Sequence, residues 1–153
     1  MKNREDNMTE LVFGLDGDIA AWVAGKVPDV RHFGPSAAIG IADGKRLVAG
    51  VVYSNWRGRD IEMSIASEDP RWCSRHNLRV LFAYPFRQLR CARVTAITKR
   101  KSKTVRRFLE RMGFRQEGVI RGAYVDDDAC VYGMLKKECR WINSAIHKEK
   151  IHG

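Results

Sequence analysis

Four cysteines and four histidines are the first residues whose chemistry has to be placed. Cys73, Cys91, Cys130 and Cys139 form no CxxC pair. Neither they nor His32, His76, His147 and His152 follow the spacing of a zinc site, so no metal is expected. Reduced thiols in a cytoplasmic setting fit this pattern. Spacing alone leaves a nucleophilic Cys–His pair open, because its partners need not be close in sequence. Charge is the stronger signal. Between Arg71 and Arg115 stand fourteen basic residues against a single acid, Glu110, which puts +13 on that stretch and leaves −3 for the rest of a chain with net charge +10. Such a field attracts polyanions: nucleic acid, a phosphorylated cofactor or an acidic protein surface. The plain alternative is a solvated helical face. A further candidate is Glu62. In Asp60–Ser67 the apolar Ile61, Met63 and Ile65 alternate with Glu62, Ser64 and Ala66, so Glu62 and Ser64 share the opposite face of a strand.

The elements that position these residues follow from periodicity and breakers. Leu11–Leu15 reads as a short strand. Asp16, Gly17 and Asp18 supply cap chemistry for a helix over about Ile19–Gly25, ended by Pro28. Ser36–Ala42, Leu47–Tyr53 and Asp60–Ser67 form three antiparallel strands, with turns at Asp43-Gly44 and Asn55–Arg59. Asp69-Pro70 then breaks the pattern. Ser74 caps a helix with apolar positions Leu78, Leu81, Phe82, Phe86 and Leu89, kinked or shortened by Pro85. Arg93–Thr98 is a β-branched strand. Ser102 caps a second helix carrying Val105, Phe108, Leu109 and Met112, closed by Gly113 in the left-handed position and Phe114 behind it. Phe114–Tyr124 and Ala129–Leu135 are strands joined through the turn Asp126–Asp128. The helix between Asp60–Ser67 and Arg93–Thr98 predicts one parallel crossover in an otherwise antiparallel sheet.

With 153 residues, 44% hydrophobic and 30% charged, the chain reads as one globular domain, 1–153, with a core of about 11–138 and polar ends. No apolar run approaches the roughly 20 residues of a membrane span, and Met1–Glu10 has no signal-peptide core. The expectation is a cytoplasmic protein, monomeric or homodimeric, with no membrane partner.

The segment SKTVRRFLERMGFRQEGVIRGAY, Ser102–Tyr124, resembles a helix–strand unit of the GNAT superfamily of acetyl-CoA-dependent N-acyltransferases. Its likeness is to the branch that acetylates protein N-termini and small amines, where N-x-x-S/A…L-x-x-x-G-F-x-x-E-G-x-x-R recurs. CVYGMLKKE, Cys130–Glu138, resembles that branch's last strand, and the element order fits from Leu11 to Glu138. The resemblance implies an α/β fold with a mixed central sheet of about six to seven strands flanked by helices. It implies acetyl-CoA as co-substrate and a small-molecule or protein amine as acceptor.

One motif departs from the family. The loop that holds the CoA pyrophosphate normally reads Q/R-x-x-G-x-G/A. The matching stretch here, Asp69–Leu78, has Cys73 in the leading place and Ser74, His76 and Leu78 in the small-residue places, within one residue of alignment. No glycine is left to let a phosphate approach the backbone. Either Ser74, Arg75 and His76 bind the phosphates by side chain at a helix N-terminus, or the site has decayed. By resemblance, Cys73, Ser74, Arg75, His76, Asn77 and Leu78 form the pyrophosphate segment. Backbone N–H groups of Ile65, Ala66 and Ser67 polarise the thioester carbonyl, Glu62 is the base and Ser64 orients water. Leu109 stands where many members carry a tyrosine acid, leaving Tyr124 and Tyr132 as substitutes. Ser102 faces the pantetheine or only caps its helix. Lys103, Arg106 and Arg107 meet the 3′-phosphate or form a solvated face. Trp22 and Phe33 shape the acceptor pocket.

Three functions follow. The first is an N-acetyltransferase acting on a primary amine. The second is an inactive GNAT-like module that binds nucleic acid or a protein through the basic 71–115 surface. The third is a phage-type modifier of nucleic-acid bases.

Overall fold

A computed structural model describes residues 9–27, 30 and 33–143. Seven strands and three helices alternate along it: β1 (Glu10–Val12), α1 (Asp16–Ala24), β2 (Ser36–Asp43), β3 (Arg46–Ser54), β4 (Asp60–Ser67), α2 (Arg75–Ala83), β5 (Arg93–Lys99), α3 (Lys103–Met112), β6 (Arg115–Ile120) and β7 (Ala129–Leu135). The strands order as β1-β2-β3-β4-β5-β7-β6. Strand β4 pairs with β5 in parallel, with Asp60, Ile61 and Glu62 opposite Arg93, Val94 and Thr95. The pairs β1–β2, β2–β3, β5–β7 and β6–β7 are antiparallel. This is the mixed sheet and single parallel crossover expected from the sequence. Among the described residues no helix is long and apolar enough to cross a membrane.

Residue contacts separate two packed units: residues up to 55 with 63–81, and 56–62 with those from 82 on. In the first unit, α1 lies on β2 and β3. Gly40 and Gly50 face each other in that strand pair. A Cβ on Gly40 would come 2.7 Å from Leu47 Cδ1, and one on Gly50 would come 2.7 Å from Val23 Cγ2. The two glycines therefore make the seat on which Ile19 and Val23 pack with Ala38, Val52 and Ala66. Trp22 and Phe33 border this cluster and are partly buried. The helix begins earlier than Ile19, because Asp16 does not cap it. Asp16 Oδ1 instead accepts the Ala38 N–H at 3.1 Å, which ties the helix start to β2. Strand β1 stops at Val12, short of the expected Leu15, and Phe13 and Leu15 are exposed. Pro28, expected to end α1, lies outside the described residues.

In the second unit, Phe82 stacks with Phe86 at 6.3 Å and meets Phe114 at 6.1 Å. Pro85 widens the helix rather than breaking it. Residues Tyr84–Gln88 form a π-turn in which the Leu89 N–H reaches Tyr84 O at 3.0 Å, a turn that needs no donor from the proline. Helix α3 buries Leu109 and Met112 and ends as the sequence requires. Gly113 has φ +114°, and the Phe114 N–H returns to Leu109 O at 3.0 Å. Ser102 occupies the N-cap position, yet its hydroxyl makes no cap bond. Strand β6 ends at Ile120, four residues before Tyr124, where the chain turns through Gly122 at φ +64°.

Candidate functional site

Glu62 and Ser64 are half-buried on one face of β4, two residues apart as the alternation requires. Asp60 on the same face is already engaged. Thr95 Oγ1 donates to Asp60 Oδ1 at 2.8 Å, Arg93 Nη2 donates to Thr95 Oγ1 at 3.1 Å, and the same guanidinium pairs with Glu117 at 2.8 Å. The Glu117 carboxylate holds the Arg93 pKa above its ordinary value. This network crosses Gly133, where a Cβ would run into both Glu117 and Arg93. The sequence alone did not reveal it, and the one signal was a glycine, Gly133, that stands opposite Thr95 and Arg115 in the paired strands. Of the residues that follow on β4, Ala66 is buried, Ile65 half-buried and Ser67 exposed.

The segment after β4 folds as a 3₁₀ turn, Pro70–Cys73, leading into α2. Asp69 caps the turn: its Oδ1 accepts the Arg71 N–H at 2.9 Å and its carboxylate grips the Arg71 guanidinium. That contact lowers the Asp69 pKa to about 2. Arg71 also bonds Asp43 Oδ2 at 2.6 Å, fastening the segment to the β2–β3 hairpin. Ser74 then caps α2, with its Oγ accepting the Asn77 N–H at 3.1 Å. The first turn of a helix leaves its leading N–H groups without acceptors inside the helix and carries partial positive charge, the geometry that receives phosphate.

Within this segment the side chains divide. Ser74, Arg75 and His76 are exposed. Asn77 and Leu78 point inward at 3% and 4% exposure. Asn77 Nδ2 donates to Trp72 O at 3.0 Å and to Thr9 Oγ1 at 3.1 Å, and Leu78 joins the core. A buried amide needs such partners, and the turn supplies them. Cys73 is half-buried, its Sγ 3.3 Å from Pro70 O.

The other candidates lie in the second unit. Tyr132 is fully buried. Its hydroxyl accepts from Arg106 Nε at 2.9 Å and donates to Glu110 Oε2 at 3.1 Å. Burial raises its pKa and the Arg106 guanidinium offsets part of that rise. Arg106 is held further by Gln116 Oε1 at 3.1 Å and by Arg100 O at 3.0 Å, so its guanidinium braces α3 against β7 and β6. Tyr124 is half-buried in the loop before β7, with Lys99 Nζ 5.6 Å from its ring centre. The acidic turn after it is more than a turn. Asp126 pairs with Lys99 at 2.8 Å, Asp128 with Arg100 at 3.3 Å, and Asp127 Oδ2 accepts the Lys101 N–H at 2.7 Å. It latches the loop that carries Ser102 into α3.

No family model matches the chain, and no curated protein matches it in sequence. Solved structures do match in fold. A point mutant of the spermidine N-acetyltransferase SpeG of Vibrio cholerae superposes with TM-score 0.68 at 14% identity, over 90% of this chain and 98% of that one. The ribosomal-protein-S5-alanine acetyltransferase of Vibrio fischeri gives TM-score 0.56 at 14% identity, over 68% and 63%. A GNAT-family acetyltransferase of Bacillus anthracis gives 0.56 at 17%, over 66% and 67%. Two further chains, provisionally assigned as acetyltransferases, are 24% identical at TM-score 0.59, and this chain spans 63% and 59% of their lengths. The fold is that of the GNAT acetyltransferases.

Proposed function

We propose that the protein is an N-acetyltransferase that moves an acetyl group from acetyl-CoA to a primary amine of a small molecule or protein. The observation that carries this reading is the parallel β4–β5 pair in a GNAT-like mixed sheet, with Glu62 opposite Thr95 in its register. Ser74, Arg75 and His76 suit a diphosphate: they are exposed at a capped helix N-terminus, and Arg75 adds a charge-assisted donor. Acetyl-CoA supplies the activated thioester acyl group. The acceptor nitrogen attacks the acyl carbon, the C–N bond forms, and the C–S bond breaks. Glu62, directly or through water held by Ser64, takes the proton that the nitrogen must lose, and the departing thiolate is protonated from solvent or by Tyr124. Backbone N–H groups of Ile65–Ser67 stabilise the oxyanion. Trp22 and Phe33 border the acceptor. The assay is acetyl-CoA turnover against a panel of primary amines, spermidine and N-terminal peptides included. Turnover of any supports the proposal, and CoA binding without turnover of any amine rejects it in favour of an inactive module.

A further inference from the structure

The basic excess of residues 71–115 is not one surface. Arg71 is spent on Asp69 and Asp43, Arg93 on Glu117 and Asp60, Lys99 and Arg100 on the acidic turn, and Arg106 on Tyr132 and Gln116. Among the cations that stay outward in the second unit, three form a row on α3. Lys103, Arg107 and Arg111 are all exposed and spaced four residues apart. At 3.6 residues per turn they fall within about 80° of the helix circumference, on the side opposite Leu109 and Met112. The row rises about 12 Å along the helix axis. Among the described residues none of the three makes an ion pair, and Glu110, the one acid on the helix, accepts from Tyr132. Arg140 extends the row. Its guanidinium donates to Arg111 O and stacks on the Trp141 ring at 4.4 Å.

We propose that this face of α3 binds the phosphate backbone of a nucleic-acid duplex without reading sequence. Charge complementarity names the partner, since a duplex carries one phosphate per about 1.7 Å of axis and a row of exposed cations along one helix face suits such a rigid polyanion. The side chains, Lys103, Arg107, Arg111 and Arg140, are of the kind that contacts phosphates. A single strand is disfavoured because it requires stacking platforms. The Trp141 ring beside the row is covered by Arg140, and its Nε1 donates to Met112 O at 2.9 Å.

The test is fluorescence anisotropy of the full chain with 24-base-pair duplexes of two unrelated sequences, in DNA and RNA form, across a salt series, with single strands and poly-glutamate as comparators. The expected result is similar affinity for both sequences and a logarithmic salt slope of about −3, falling by about one for each arginine removed in Arg107→Ala and Arg111→Ala. The double variant should bind roughly a hundredfold more weakly at low salt, whereas Arg107→Lys/Arg111→Lys keeps most of the affinity. Circular dichroism establishes that each variant is folded. Absence of duplex binding at low salt overturns the proposal. So does a double variant equal to wild type, a preference for single strands, or equal binding of poly-glutamate, which would make the face a site for acidic protein.

Discussion

Glu62 is the residue on which the proposed chemistry turns. Changing Glu62→Gln keeps size and hydrogen bonding but removes the proton acceptor. It is expected to lower kcat/KM by about a hundredfold or more while leaving acetyl-CoA affinity nearly unchanged. Steady-state kinetics beside calorimetry checks this, and wild-type turnover would return Glu62 to a structural role. Arg75 makes the parallel case for binding. If side chains hold the phosphates in this glycine-free loop, as proposed, Arg75→Ala should weaken acetyl-CoA by roughly tenfold to a hundredfold, with the gap narrowing in salt. If affinity is unchanged, the backbone N–H groups of the turn hold the phosphates. Asp69 gives a test by pH. Its pKa is lowered from 3.8 to about 2 by Arg71, so the stability it contributes is complete above about pH 4 and disappears as pH falls through 2. Asp69→Asn should therefore be less stable than wild type at neutral pH, with the gap closing between pH 4 and 2. Denaturant midpoints measured across that range decide it; a gap independent of pH would show that the carboxylate charge is not what matters.

At the scale of the element, the close of α3 is the sharpest case. Gly113 sits at φ +114°, and a Cβ there would lie 3.3 Å from Arg140 Nη1 and 3.4 Å from Met134 Cε. Gly113→Ala meets both backbone strain and crowding, and is expected to cost about 1–2 kcal/mol, or roughly 2–8 °C in Tm. Thermal unfolding followed by circular dichroism reads this directly, and an unchanged Tm would mean that the left-handed cap is dispensable. The strands, helix α3 and this cap were legible because each depends on local pattern: alternation in Asp60–Ser67, the i, i+3, i+4, i+7 spacing of α3, and glycine where φ is positive. Side-chain direction in the Cys73–Leu78 segment was not legible in the same way. Ser74 and Asn77 are both polar cap-type residues, and only tertiary packing decides that one faces water while the other is sealed against Trp72 and Thr9. The same holds for Tyr132, whose alternation on β7 places it on a face but does not tell that Arg106 and Glu110 close over its hydroxyl.

For the whole molecule, the charge of residues 71–115 was visible in composition, but its meaning was not. Pairing partners such as Asp43, Glu117 and Asp126 lie 24 to 28 residues away in sequence from the cations they neutralise, and composition cannot match them. The fold, by contrast, depended on element order and one parallel crossover, which a single chain does display. The central claim joins that fold to a pyrophosphate segment in which side chains stand for glycines. Isothermal titration of the purified chain with acetyl-CoA tests it most directly. The account expects saturable binding of one ligand per chain, with a dissociation constant between about 1 μM and 1 mM, the span typical of enzyme KM values. No heat and no protection from thermal unfolding at several millimolar acetyl-CoA would contradict it.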